Sequence, residues 1–84
     1  MTLQEYKEKN YSSYYLFGQA LGIGGYNPAC LCQRWCLRGN PKYFSLPSSE
    51  KMIEIQDKIT KGKVTIEDMV REHARKKKEY EEKK

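Results

Sequence analysis

The sequence predicts a small all-α domain of about five helices. Three observations carry this. Residues able to cap a helix stand at intervals along the chain, and two of them open capping boxes. Between them, apolar residues recur three and four apart. Glycine and proline mark the breaks.

Thr2-Leu3-Gln4-Glu5 is the first capping box, and a helix from about Leu3 to Lys9 follows, with Leu3 and Tyr6 inward. Ser12 or Ser13 caps a second helix. Its Leu16, Phe17, Ala20 and Leu21 form one apolar face, and Gly22 ends it as a C′ glycine. Gly24 and Gly25 make a flexible turn. Asn27 is a good N-cap and Pro28 suits the first helical position, so a third helix runs from about Pro28 to Leu37 or Arg38. Leu31 and Trp35, with Cys32 beside them, are its expected buried members. Gly39-Asn40-Pro41 stops it. Lys42 to Ser45 reads as an extended linker. Pro47 opens a fourth helix to about Thr60, with Met52, Ile55 (or Gln56) and Ile59 as its inner stripe. Lys61-Gly62-Lys63 breaks that helix. Thr65-Ile66-Glu67-Asp68 is the second capping box, and the fifth helix starts there with Ile66, Met69 and Val70 inward. Beyond His73 only Ala74 and Tyr80 are apolar. Glu67–Arg71, Glu72–Lys76 and Glu79–Lys83 stand at i,i+4 in the favourable order. Residues 1–73 therefore read as the folded domain and 74–84 as a charged, solvated helical tail.

Eighty-four residues support one domain and a small core. Apolar residues make up 38% and charged residues 32%, with a mean hydropathy of −0.91. No apolar run approaches the roughly 18 residues of a membrane span, and the N-terminus lacks the apolar stretch of a secretion signal. Three cysteines cannot close a disulfide set, which fits a reducing, cytoplasmic compartment. The net charge is +5. Residues 1–48 carry five basic and two acidic side chains; residues 49–84 carry eleven and nine. A basic surface of this kind fits a polyanion such as nucleic acid, and fits equally a merely soluble basic domain.

The second and third helices have the makings of a helix-turn-helix. Gly18 is the small residue that lets the next helix pack close. Gly22 is the turn glycine, Ile23 plugs the core and Trp35 anchors the third helix. Gln33 and Arg34 then face bases or phosphates. Gln suits adenine and Arg suits guanine, each through two contacts. Arg38 and Lys42 extend the row. Asn27 caps the recognition helix toward a phosphate, and Tyr26 lies in the same turn.

The segments Leu37–Gly39, Leu46–Ile55 and Gly62–Met69 resemble the Cro/CI-type helix-turn-helix family, and among its members the YdaS-like, Cro-like phage repressors. There a Trp-x-Arg-Gly end of the recognition helix precedes a Pro-x-x-x-Ala-x-x-Ile-Glu helix, and Gly-Lys-Val-Thr-x-x-Asp-Leu opens the last one. Thr2–Tyr6 is also similar to the opening of a phage Cro protein. The resemblance spans about residues 2–70. It implies a Cro-like helix-turn-helix, a transcriptional repressor of bacterial or phage-infected host cells, bound to a double-stranded operator as a homodimer. The turn before Pro28 is several residues longer than the family's, and Trp35 stands four rather than three residues before Gly39. The long turn either touches DNA itself or marks a unit adapted to a protein target, as in an inhibitor or antitoxin.

Cys30, Cys32 and Cys36 offer two thiols at i,i+4, short of the four ligands of a structural zinc site, so no metal or cofactor is expected. No nucleophile–base pair is readable around the single His73, and no enzyme is expected. Seven tyrosines are many for this length. Some must be exposed, available for base stacking or a protein interface.

Overall fold

The computed structural model describes residues 1–25 and 27–82. Its regular structure is entirely helical: α1 (Leu3–Asn10), α2 (Tyr14–Ala20), α3 (Pro28–Trp35), a one-turn 3₁₀ helix (Pro41–Tyr43), α4 (Ser49–Glu54) continued by a π turn (Ile55–Ile59), and α5 (Ile66–Glu82).

Each start is chemically determined. Thr2 and Glu5 exchange the two hydrogen bonds of a capping box at α1, both 3.1 Å. Of the two candidate serines, Ser13 caps α2, its Oγ accepting from the Leu16 N–H. Asn27 accepts from the Ala29 N–H ahead of α3. Thr65 and Asp68 form the second box at α5, and the Gln56 side chain accepts the Ile66 N–H beside it. Each cap satisfies donors that the first turn leaves orphaned.

Two helix ends share one device. At the end of α2 the Ile23 N–H reaches the Gly18 carbonyl and the Gly22 N–H reaches that of Gln19, with Gly22 at φ +78°. At the end of α3 the Arg38 N–H reaches Gln33 and the Leu37 N–H reaches Arg34, with Leu37 at φ +61°. Both are Schellman motifs. The second stops α3 at Trp35, ahead of the expected Gly39-Asn40-Pro41, because Leu37 itself takes the left-handed turn. Pro41 then starts the 3₁₀ turn, capped by Asn40, where a linker was expected. Pro47 is buried just ahead of α4, and Ser48 provides the cap.

The core is Leu3, Phe17, Leu21, Cys32, Cys36, Ile55, Val64 and Met69. Tyr11 stacks on Phe17 at 5.0 Å between centroids, and Tyr6 lies 5.9 Å from the same ring. Both Tyr6 and Tyr14 keep a partner for the hydroxyl: Tyr6 donates to the Ile59 carbonyl and Tyr14 to Gln4. Lys7 is buried along its stem, with Nζ 4.4 Å from the centre of the Tyr14 ring. Fully buried Thr60 closes the π turn. Its hydroxyl donates to the Ile55 carbonyl at 2.8 Å and accepts the Val64 N–H at 3.1 Å.

Several expected inward residues point elsewhere. Leu16 and Ala20 are exposed on α2, which buries Phe17, Gly18 and its end residue Leu21 instead. Val70 is exposed on α5. Leu31 and Trp35 are only partly buried, while Cys32 and Cys36 occupy the core of α3's inner face. A helix of eight residues with apolar groups on two sides takes its orientation from its neighbours, and α2 meets the Cys32 side. Trp35 instead lines a groove with Leu3, Leu37, Met69, Glu72 and Arg75.

Helix α5 runs through His73 without interruption and continues to Glu82. Beyond His73 it lies along the chain that follows α3: Tyr80 and Lys76 line a groove with Leu37, Pro41 and Phe44. Glu67 pairs with Arg71 as expected, whereas Glu72 pairs with Arg75, which also meets Glu79; Lys83 lies outside the described residues.

Candidate nucleic-acid interface

Helices α2 and α3 form the most intimate pair in the molecule. Gly18, midway along α2, faces Pro28 at the start of α3. A Cβ at position 18 would lie 2.7 Å from the Pro28 carbonyl oxygen and 2.9 Å from its Cβ. No side chain fits in that space, so glycine there is a packing requirement. Lys51 of α4 caps the arrangement, its ammonium donating to the Leu21 carbonyl at 3.0 Å and pairing with Glu54 at 3.3 Å. A cation at a helix C-terminus is well placed for the orphan carbonyls.

With its Cys32–Cys36 side locked inward, α3 presents Cys30, Gln33 and Arg34 to solvent. Asn27 at its start and Arg38 beyond its end are exposed too, as is Lys42 on the 3₁₀ turn. Five of the six sequence-nominated residues therefore lie on the outside of α3 or on the chain just before and after it. The sixth, Tyr26, lies outside the described residues.

Electrostatically this region differs from the rest. From Lys9 to Ser49 the chain has no Asp or Glu: α2 is uncharged, and α3, the chain after it and the 3₁₀ turn carry only the cations Arg34, Arg38 and Lys42. Elsewhere carboxylates are interspersed with the basic side chains, and four of these form ion pairs: Lys7 with Glu8, Lys51 with Glu54, Arg71 with Glu67, Arg75 with Glu72. Among the described residues no carboxylate pairs with Arg34, Arg38 or Lys42. Arg38 does share grooves with Glu72 and Glu79 of α5. Arg34 and Lys42 converge instead on an aromatic ring, that of Tyr43. The Arg34 guanidinium carbon lies 5.5 Å and the Lys42 ammonium 5.8 Å from its centroid. Tyr43 is 53% exposed and was not among the nominated site residues. Its nine-residue separation from Arg34 gives no periodic signal, because the chain reverses at Leu37 and Pro41.

The three cysteines sit in different surroundings. Cys30 is exposed, while Cys32 and Cys36 are buried. The Cys36 thiol is raised by its hydrogen bond to Cys32 and by burial, while the same bond lowers Cys32; both side chains pack in the core. Among the described residues, no three His, Cys, Asp or Glu side chains gather as metal ligands would. No helix of the described residues is long and apolar enough to cross a membrane.

Comparison with models of protein families, with curated proteins and with solved structures finds no match to this chain.

Proposed function

We propose that the chain is a sequence-specific double-stranded DNA-binding domain in which α2 and α3 serve as a helix-turn-helix. The observation that carries this is the outer face of α3 and the chain just past it: Gln33 and Arg34 on the helix and Arg38 beyond its end are exposed on a segment without a single carboxylate, while the inner face is locked on α2. A rigid helix with long polar side chains and only positive charge suits entry into a major groove between two phosphate chains. Gln33 reads a base edge, and the cations hold the backbone. Together with the Cro/CI-type resemblance of residues 2–70, this supports a repressor-like role as a homodimer on a two-part operator, in the cytoplasm where such DNA is found. One small module has limited affinity, and pairing two half-sites supplies specificity. No catalysis is part of this reading.

A second reading is favoured by α2. Tyr15 (47% exposed) and Leu16 (46% exposed) put large apolar groups on its outer side. They suit a protein-interaction module of inhibitor or antitoxin type that reuses the same helices.

Selection of bound sequences from a random duplex pool tests the first reading, with a two-part palindromic consensus expected. Affinity for the selected duplex should fall steeply with salt, as phosphate contacts dictate. No duplex binding at low salt overturns the DNA reading and leaves the protein-interaction one.

A further inference from the structure

We propose that Arg34 and Lys42, gathered at the ring of Tyr43, form a seat for the DNA phosphate backbone, with Tyr43 as a positioning residue. This rests on the DNA-binding reading and assigns Arg34 to phosphate rather than to a base.

Two cations brought within about 6 Å of one ring are each attracted to its face. They also repel one another, and no carboxylate of the described residues pairs with either to relieve that repulsion. An anion between them does. A neutral base edge takes the guanidinium but leaves the ammonium uncompensated, whereas a phosphate oxygen pair accepts charge-assisted bonds from both. The seat is also held in place. Asn40 caps the 3₁₀ turn through the Lys42 N–H at 3.0 Å, and the Tyr43 N–H bonds to the Asn40 carbonyl at 2.9 Å. Pro41 and Phe44 on either side line a groove with Tyr80 of α5. The ring is thus mounted on a short rigid turn, and Arg34 reaches it from α3. Arg38, nearer the carboxylates of α5, is not part of the seat.

The test is a fluorescence anisotropy titration at several salt concentrations, on a selected and a scrambled duplex. Arg34→Ala and Lys42→Ala should each weaken binding to both duplexes by the same factor. Each should flatten the slope of log K against log salt by about 0.9, as for one lost phosphate contact. Tyr43→Ala should change affinity and slope in the same direction, and Tyr43→Phe should restore wild-type values, because the ring face holds the cation and the hydroxyl is dispensable. All three side chains are exposed, so circular dichroism should be unchanged throughout. An Arg34→Ala variant that loses affinity on the selected duplex alone, with its salt slope intact, makes Arg34 a base reader and overturns the seat. A Tyr43→Phe variant as weak as Tyr43→Ala overturns the positioning role. If wild type itself binds no duplex, the DNA-binding reading fails and the seat falls with it; wild-type binding with an unaltered Arg34→Ala slope removes the seat alone.

Discussion

Gly18 and Pro28 touch so closely that a methyl group at position 18 would lie 2.7 Å from the Pro28 carbonyl oxygen. The obstructing atoms belong to backbone and to a proline ring, neither of which can swing aside. Alanine normally favours a helix over glycine by about 1 kcal/mol. Here the overlap outweighs that gain, and Gly18→Ala should destabilise by about 1–3 kcal/mol net, the range for overpacking. Urea denaturation reads this directly. A midpoint equal to or above wild type means that α3 does not approach α2 as described.

Leu37 and Lys61 share an uncommon conformation with opposite surroundings. Both have positive φ, +61° and +51°, but Leu37 is 7% exposed whereas Lys61 lies in the open. The left-handed conformation costs a residue with a Cβ roughly 1–2 kcal/mol, which glycine avoids. Glycine also costs unfolded-state entropy, roughly 0.5–1 kcal/mol. Lys61→Gly loses no buried contacts and should stabilise by up to about 1 kcal/mol. Leu37→Gly gains the same relief but empties a buried leucine site worth about 2–5 kcal/mol, so it should be net destabilising. Thermal melts of the two variants should move in opposite directions.

Asp68 links stability to pH. Its carboxyl is held below its ordinary value of 3.8, first by the hydrogen bond from the Thr65 N–H. A carboxylate with a depressed folded-state pKa contributes stability that is fully present above the unfolded value. That contribution is lost as pH falls through the folded value. Melting temperature should therefore drop as the solution is acidified below about pH 4. In Asp68→Asn, stability at neutral pH should be lower and the acid drop shallower. Glu5, lowered by its hydrogen bonds with Thr2, acts in the same direction, so some acid dependence should persist. Identical pH curves for wild type and Asp68→Asn would falsify the role of the second capping box.

Gln33 and Arg38 should separate specificity from affinity. Gln33 is the long polar side chain at the middle of α3's outer face, whereas Arg38 lies past its end. Gln33→Ala should cost about 1–3 kcal/mol on the selected duplex and relax one base position, with little change on a scrambled duplex. Arg38→Ala should weaken both duplexes alike. Competition titrations against single-position variants of the site distinguish the two patterns. If Gln33→Ala binds every variant as wild type does, the groove contacts are made elsewhere.

The helix starts were legible because a cap is a local device. Thr2, Ser13, Asn27 and Thr65 each bond to an N–H two or three residues onward, and nothing distant is needed to complete the bond. The turn at Gly22 and the close approach at Gly18 could likewise be read in advance, since glycine is the favoured residue at a left-handed C′ position and the contact with Pro28 leaves no room for a Cβ. Which side of each helix is buried followed different physics. Cys32 and Cys36 displaced Trp35 from the centre of the core, and Leu16 and Val70 turned outward. On short helices with apolar residues on more than one side, the position of the neighbouring helix selects the buried face, and no intrahelical spacing encodes that position. The same holds for the end of α3. A leucine accepted a left-handed turn there because its side chain gains a buried site, which is visible only once α1 and α5 are in place. The exposed cations could be nominated from charge alone. Their convergence on Tyr43 depends on a chain reversal between Leu37 and Pro41 that brings residues nine apart together through space, and a contact of that kind exists only in the folded molecule.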